Sequence, residues 1–218
     1  MQVEDERDRP NFFAGPYIDR RSELRESGGW REAALSDNAT LYVVSRGTTH
    51  LLISEPEPRI AFVSGEHASV LHADESRFVL LGWFRGTLCV LIQLEETPND
   101  DALALPGARF EELRPLTNVL PADEAGLLAY ARALSIWRSR TRFCGRCGSL
   151  TVAERGGHVL RCSNTECAQE VFPRIDPAII VLVTDGERAL LGRPPRRPAG
   201  RYSTIAGFVE PGERLGEG

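Results

Sequence analysis

The sequence contains no lysine. All 26 of its basic residues are arginine, and they stand against 31 acidic residues. This absence excludes any mechanism that depends on a catalytic lysine. The resulting net charge of −5 also disfavours a general nucleic-acid-binding protein, because such proteins carry a basic balance.

Long hydrophobic runs are absent as well. The longest, AIIVLV at positions 178–183, has the length of a strand and falls far short of the roughly 20 residues that cross a membrane. The N-terminal stretch MQVEDERDRP is charged and lacks the apolar core of a secretion signal. We therefore expect a cytoplasmic location.

Cysteine is scarce but concentrated. Four of the five cysteines form the pattern Cys144-x2-Cys147-x14-Cys162-x4-Cys167. In a reducing compartment, two close pairs of this kind indicate metal ligation before disulfides, and four thiolates suit a tetrahedral Zn²⁺. Two disulfides, or cysteines that merely lie in a core, are the alternatives.

The segment between the two pairs, SLTVAERGGHVLR, predicts a zinc-ribbon hairpin that turns near Gly156 and Gly157. Four cysteine ligands complete the coordination of zinc, so the site is expected to be structural and closed. His158 has the right chemistry for a ligand, but we expect it on the surface of a strand. Cys89 lies in the apolar run TLCVLIQL and is expected to be buried.

The remaining patterns predict an α+β protein. A stripe of apolar residues at spacings of three and four predicts a helix, which begins at Pro121-Ala122 with acidic residues in its first turn. Arg85-Gly86 separates two apolar runs as a hairpin turn would. The predicted parts follow one another along the chain. They are an N-terminal loose arm with one short element (1–38), a β-rich domain (39–121), a linking helix (122–140), a zinc ribbon (141–172) and the first strands of a further domain (173–218).

The last part of the chain carries a recognisable motif. FPRIDPAIIVLV follows the ribbon, and AGFVEPGE at 206–213 matches the start of the Nudix box, G-x5-E-x7-R-E-U-x-E-E-x-G-U, at Gly207 and Glu213. Together with the ribbon, these motifs resemble the NADH pyrophosphatase branch of the Nudix hydrolases. The resemblance covers at least residues 113–213 and implies that the last part begins an αβα Nudix sandwich.

The resemblance also implies a reaction. Family members hydrolyse NADH or NAD⁺ to nicotinamide mononucleotide and AMP, and some remove an NAD cap from RNA. It implies Mg²⁺ or Mn²⁺ bound by the box glutamates and by the backbone carbonyl of Ala206, stacking of Phe172 and Phe208 on the nicotinamide, and a homodimer. The alternative to stacking is that both phenylalanines lie in the core. Gly157 stands where some relatives carry an acidic substrate contact.

Counted from Glu213, the Arg-Glu pair of the box would follow Gly218. We therefore expect little or no hydrolysis from residues 1–218, whether they are a fragment, a frameshifted product or a natural short form. The alternative function is a zinc-ribbon module for binding or dimerisation. A local basic strip at Arg138, Arg140, Arg142 and Arg146 favours binding, although the acidic balance of the chain weakens it.

Overall fold

The structure is a computed structural model that describes residues 11–64, 75–94 and 105–216. It divides into two compact units at Pro173 and Arg174. His67, His72 and Glu217 lie outside the described residues.

The first unit is built on a seven-stranded sheet. The strands are β1 Ile18–Asp19, β2 Leu41–Arg46, β3 Thr49–Ile53, β4 Arg59–Ile60, β5 Phe78–Phe84, β6 Thr87–Leu94 and β7 Ala108–Glu112. Their order in the sheet is β1-β5-β6-β2-β3-β4, with β7 also pairing along β3, and all neighbours are antiparallel except β2 and β6.

A helix covers each face of this sheet. The helices are α1, Trp30–Ser36, and α2, Ala122–Arg140. Alternate residues of β2 belong to different cores, since Val43 packs in the core with α2 and Tyr42 in the core with α1. Because both faces are covered, the central strands are continuously apolar, which the sequence shows as unbroken hydrophobic runs.

The hairpin between β5 and β6 turns at Arg85 and Gly86, as the sequence predicts. Both residues have positive φ, 51° and 78°, as a two-residue type I′ turn requires. From this turn the Arg85 guanidinium reaches the start of α2, where it pairs with Asp123 at 2.7 Å and with Glu124 at 3.1 Å. Buried Glu124 also accepts a 2.7 Å hydrogen bond from the backbone N–H of Ile60, so this carboxylate ties α2 to β4.

The N-terminal segment differs from the expected loose arm with one short element. Within residues 11–38 the structure has β1, a 3₁₀ turn at Ser22–Arg25 and α1. Tyr17 and Ile18 pack against the core beneath α2, and Trp30 is buried in the core beneath α1. The sequence hides this packing because few apolar residues are involved and they follow no single period.

The zinc ribbon belongs to the first unit and packs on its core. Its strands are β8 Thr151–Glu154, β9 Val159–Cys162 and β10 Glu170–Val171, in the order β10-β9-β8. One face of this small sheet, formed by Ala153, Leu160 and Val171, joins the core that contains α2. The ribbon is therefore an integral part of the first unit.

The second unit, taken by itself, is a pair of two-stranded sheets. Strands β11 Ala178–Val181 and β14 Ile205–Phe208 form one, and β12 Val183–Thr184 and β13 Ala189–Leu190 form the other. No helix occurs among the described residues of this unit. Across the described parts of the whole chain, no helix is long and apolar enough to cross a membrane.

Candidate metal centre and substrate-side residues

The four clustered cysteines come together at one end of the ribbon. The Sγ atoms of Cys144 and Cys167 are 3.8 Å apart, those of Cys147 and Cys162 are 3.4 Å apart, and all four lie within 4.8 Å of one another. Zinc bonded to four sulfurs at about 2.3 Å places those sulfurs about 3.8 Å apart, so the cluster has the size of a zinc tetrahedron. These separations are far too long for the disulfides that were the alternative.

Two tight turns place the sulfurs. In the first, the backbone N–H of Gly148 donates to the carbonyl of Cys144 at 2.8 Å, and the φ of Gly148 is +79°. In the second, the N–H of Cys167 donates to the carbonyl of Asn164 at 3.0 Å. Antiparallel pairing of β8 with β9 then brings the two turns together.

Hydrogen bonds around the first turn favour the thiolate form that zinc needs. The backbone N–H groups of Arg146 and then Cys147 lower the pKa of Cys144. The hydroxyl of Ser149, followed by its backbone N–H, lowers the pKa of Cys147 to about 6. Burial instead raises the pKa of Cys162 to about 12. Four sulfur donors bind zinc strongly and leave no coordination position open for catalysis. This donor set therefore fits a structural zinc ion.

His158 is not on the surface, which corrects the expectation from sequence. Its side chain is only 8% exposed. Its Nδ1 lies 3.2 Å from the carbonyl oxygen of Gly156 and must donate to it, so Nε2 accepts from the Tyr130 hydroxyl at 2.6 Å. Arg25 donates to the same hydroxyl at 3.3 Å. His158 therefore joins the ribbon to α2 and to the N-terminal segment, and is not a metal ligand.

Gly157 lies where a side chain would be strained and crowded. Its φ is +84°, and a Cβ atom built on it would be 2.4 Å from Nη1 of Arg138 and 3.1 Å from the side chain of Val79 in β5. The positive φ and the close side chain of Val79 therefore disfavour a larger residue at this position. The glycine instead allows the turn of the ribbon to lie directly on β5.

Phe172 and Phe208 are both exposed among the described residues. Phe172 follows β10 in the first unit and is 56% exposed. Phe208 ends β14 in the second unit and is 73% exposed. Each presents a ring that a flat ligand can reach.

The backbone carbonyl of Ala206 is directed away from the neighbouring strand. The N–H of Val209 donates to the carbonyl of Pro177, which makes that pair a hydrogen-bonded one. Because such pairs alternate along antiparallel strands, Ala206 and its partner Ile180 form a non-hydrogen-bonded pair, and the carbonyl of Ala206 points away from β11. This orientation is compatible with a metal ligand.

Glu213 has a structural contact in the box turn. Its carboxylate accepts a 2.8 Å hydrogen bond from the backbone N–H of Glu210, and its own N–H donates to the carbonyl of Glu210 at 3.0 Å. Gly207, which the sequence motif predicts to be the first fixed position of a Nudix box, lies in β14 and pairs with Ile179. Of the two arginines nearest the box motifs, Arg174 is paired with Asp176 and Arg201 is exposed.

Sequence reasoning missed the contacts that join the parts of the first unit. Arg85, Tyr130 and His158 all lie on separate elements far apart in the chain, and no local spacing links them. One signal was available: paired glycines at 156–157 in the middle of a hairpin often mark a close approach of two backbones.

Comparison with known families assigns most of the first unit. Residues 39–137 match the family described as "NADH pyrophosphatase-like rudimentary NUDIX domain". Residues 139–172 match the "NADH pyrophosphatase zinc ribbon domain". The two matches are nearly contiguous and end at the exposed phenylalanine that follows β10.

Several curated proteins are similar to the chain. The NAD-capped RNA hydrolase NudC of Stutzerimonas stutzeri is 43% identical over 135 residues, covering 62% of this chain and 46% of that protein. NudC of Pseudomonas syringae pv. syringae is 36% identical over 77% of this chain and 63% of its own length. The human NAD-capped RNA hydrolase NUDT12 is 29% identical over 94% of this chain and 53% of its own. The chain thus spans about half the length of the curated relatives it matches.

Proposed function

Since the chain belongs to the NADH pyrophosphatase branch of the Nudix family, we propose that the whole protein hydrolyses the pyrophosphate of NADH or NAD⁺ to nicotinamide mononucleotide and AMP, and removes NAD caps from RNA. The observation that carries the proposal is the four-cysteine cluster of a ribbon seated on a rudimentary Nudix domain. Similar proteins are named NAD-capped RNA hydrolases.

In this proposal the described residues hold and orient the substrate. The exposed rings of Phe172 and Phe208 stack on the nicotinamide, and each stack is worth about 1 kcal/mol. The outward carbonyl of Ala206, next to Gly207, would contribute one ligand for Mg²⁺ or Mn²⁺, and such an ion would supply neutralisation of pyrophosphate charge and activation of a water. Glu213 keeps the turn after Gly207 closed through its bond to Glu210.

The zinc ion takes no part in the proposed reaction. Cys144, Cys147, Cys162 and Cys167 would hold it in a closed set, and it would fix the end of the ribbon whose other end leads to Phe172. We further propose that the protein is a cytoplasmic homodimer, as the family resemblance implies.

The proposal is tested by incubating the whole protein with NADH, NAD⁺ and NAD-capped RNA in Mg²⁺ or Mn²⁺ and measuring nicotinamide mononucleotide and AMP by chromatography. Phe172→Ala and Phe208→Ala should each raise KM about fivefold, because 1 kcal/mol of stacking is lost. Tyr202→Ala, which removes another exposed ring of the second unit, is the matched control and should leave KM unchanged. Absence of both products would refute the proposal.

A second function, a binding or dimerisation module without hydrolysis, is favoured for residues 1–218 by one observation. All structure that the ribbon needs, its cysteines and its packing face, lies within the first unit. Light scattering of this polypeptide distinguishes a dimer from a monomer.

A further inference from the structure

The ribbon sheet has two unlike faces. Its inner face packs on the core of the first unit. Cross-strand partners share a face, so the pairs Phe143 with Leu150, Val152 with Arg161 and Arg161 with Glu170 all point outward. Phe172, two residues after Glu170, points the same way. We call this surface the ribbon outer face: Phe143, Leu150, Val152, Arg161, Glu170 and Phe172.

The apolar members of the outer face are unusually accessible. Phe143 is 60% exposed and Leu150 is 56% exposed, and both lie at the zinc end of the ribbon. Phe172 lies at the opposite end of the ribbon, directly after Val171, which pairs with Leu160. An exposed ring at each end of one continuous face is a surface on which flat groups can stack.

Positive charge without partners collects at the zinc end. Arg140, at the end of α2, and Arg142 and Arg146, which flank Phe143 and Cys144, are all exposed. Among the described residues, no carboxylate pairs with any of these three guanidinium groups.

Other arginines of the ribbon behave differently. Arg155 pairs with Glu26 at 3.3 Å, and Arg161 lies between Glu154 at 3.6 Å and Glu170 at 3.7 Å. The acidic groups of the outer face are thus already engaged by Arg161, and the unpaired positive charge is confined to the zinc end.

We propose that the zinc end of the ribbon outer face binds single-stranded RNA, with phosphates on Arg140, Arg142 and Arg146 and a base on Phe143. Unpaired guanidinium groups next to an exposed ring are what single-stranded nucleic acid requires, because phosphates need charge and unpaired bases need a stacking surface. This inference rests on the proposed function in choosing RNA as the ligand: the cap would sit at the Phe172 end and the RNA body would extend toward the zinc end.

The test measures binding of the 218-residue chain to a fluorescent single-stranded RNA of about ten nucleotides, without a cap, by anisotropy at several salt concentrations. The triple variant Arg140→Glu, Arg142→Glu, Arg146→Glu should bind at least tenfold more weakly. The slope of log affinity against log salt should fall in magnitude by about 2, since each lost phosphate contact contributes about 0.7 for single strands. A triple Arg→Gln variant should lose the same slope without added repulsion.

Arg109→Glu is the matched control. It makes the same charge change as Arg142→Glu alone, with which it is compared, but on exposed Arg109 in β7, which three strands separate from the β5 that contacts the ribbon. It should change affinity by less than twofold. Phe143→Leu should weaken binding several-fold with the slope unchanged, because it removes stacking and no charge. Zinc content and thermal unfolding of each variant confirm that the ribbon is intact.

Three results would overturn the inference: no RNA binding by the unaltered chain at low salt, equal effects of Arg142→Glu and Arg109→Glu, or loss of a dimer in the triple variant, which would make the face an interface between two copies. The proposed function fails separately. If the whole protein releases no nicotinamide mononucleotide while the triple variant loses RNA binding, hydrolysis is refuted and the RNA surface stands.

Discussion

Tyr130 connects three parts of the first unit through one hydroxyl. It donates to His158 of the ribbon, accepts from Arg25 of the N-terminal segment and is itself part of α2. Buried polar groups are costly when a partner is removed, because the remaining group stays desolvated. The Tyr130 hydroxyl therefore contributes more to the free energy of unfolding than an exposed hydroxyl would.

We expect Tyr130→Phe to lower the free energy of unfolding by about 1–3 kcal/mol, because it leaves Nε2 of buried His158 without a donor. Tyr17→Phe is the control: it removes a hydroxyl that makes no hydrogen bond among the described residues. Urea denaturation measures both. Equal stability of the two variants would show that the Tyr130–His158 bond is unimportant.

Two buried histidines should make stability depend on pH. Burial, then the charge of Arg132, lowers the pKa of His50 to about 4, against an opposing effect of Glu112. Burial, then the charge of Arg25, lowers the pKa of His158 to about 4. Both folded pKa values lie below the usual 6.5, so the unfolded chain binds protons first. The stability from the neutral rings is full above pH 6.5 and is lost as pH falls from 6.5 toward 4.

His50 isolates this effect, because neither ring nitrogen has a hydrogen-bond partner in the described structure. We expect His50→Leu to be at least as stable as the natural chain at pH 7 and to lose about 2 kcal/mol less between pH 7 and pH 5. Urea midpoints at pH 5, 6 and 7 measure the difference. Zinc ligands titrate in both proteins, so they cancel in the comparison, and identical pH profiles would contradict the account.

At the scale of elements, the backbone of the ribbon turn lies against side chains of β5. Gly156 and Gly157 both have positive φ, and a Cβ on Gly156 would lie 3.1 Å from the Cβ of Leu80. Only a pair of glycines permits this approach, and it lets the inner face of the ribbon reach the core beneath α2.

We expect Gly157→Ala to destabilise the first unit by about 2–4 kcal/mol, since it adds a clash with Arg138 and Val79 to the strain of a positive φ. Gly107→Ala has a similar φ of +77°, but no atom of the described residues lies within 4 Å of its Cβ, so it should cost only about 1–2 kcal/mol. Thermal unfolding of the two variants separates packing from backbone strain. A Gly157→Ala protein as stable as Gly107→Ala would contradict the contact.

Hydrophobic patterns with periods of 2 and 3.6 residues predict the strands and helices well. The apolar stripe fixes α2, and Arg85-Gly86 fixes the β5–β6 turn, because both depend on residues close in sequence. The burial of His158 and the packing of Trp30 depend on partners far along the chain, so no local pattern reveals them. The cysteine spacing predicts a cluster, since the hairpin between the pairs needs only local structure.

At the scale of the whole molecule, the ribbon and the rudimentary Nudix domain share one core. Leu160 of the ribbon is buried with Leu127 and Trp137 of α2. A metal that fixes the ribbon therefore stabilises α2 and the sheet beneath it, and loss of the metal should lower the melting temperature of the whole first unit.

The most direct measurement is the zinc content of purified 218-residue protein, with and without Cys162→Ser. The account predicts one zinc ion per chain, less than one in the variant, and a single unfolding transition that shifts to lower temperature when a strong chelator removes the metal. Natural protein that contains no zinc, or that keeps the same melting temperature after zinc is removed, would contradict the claim that the ribbon is a zinc-held part of this unit.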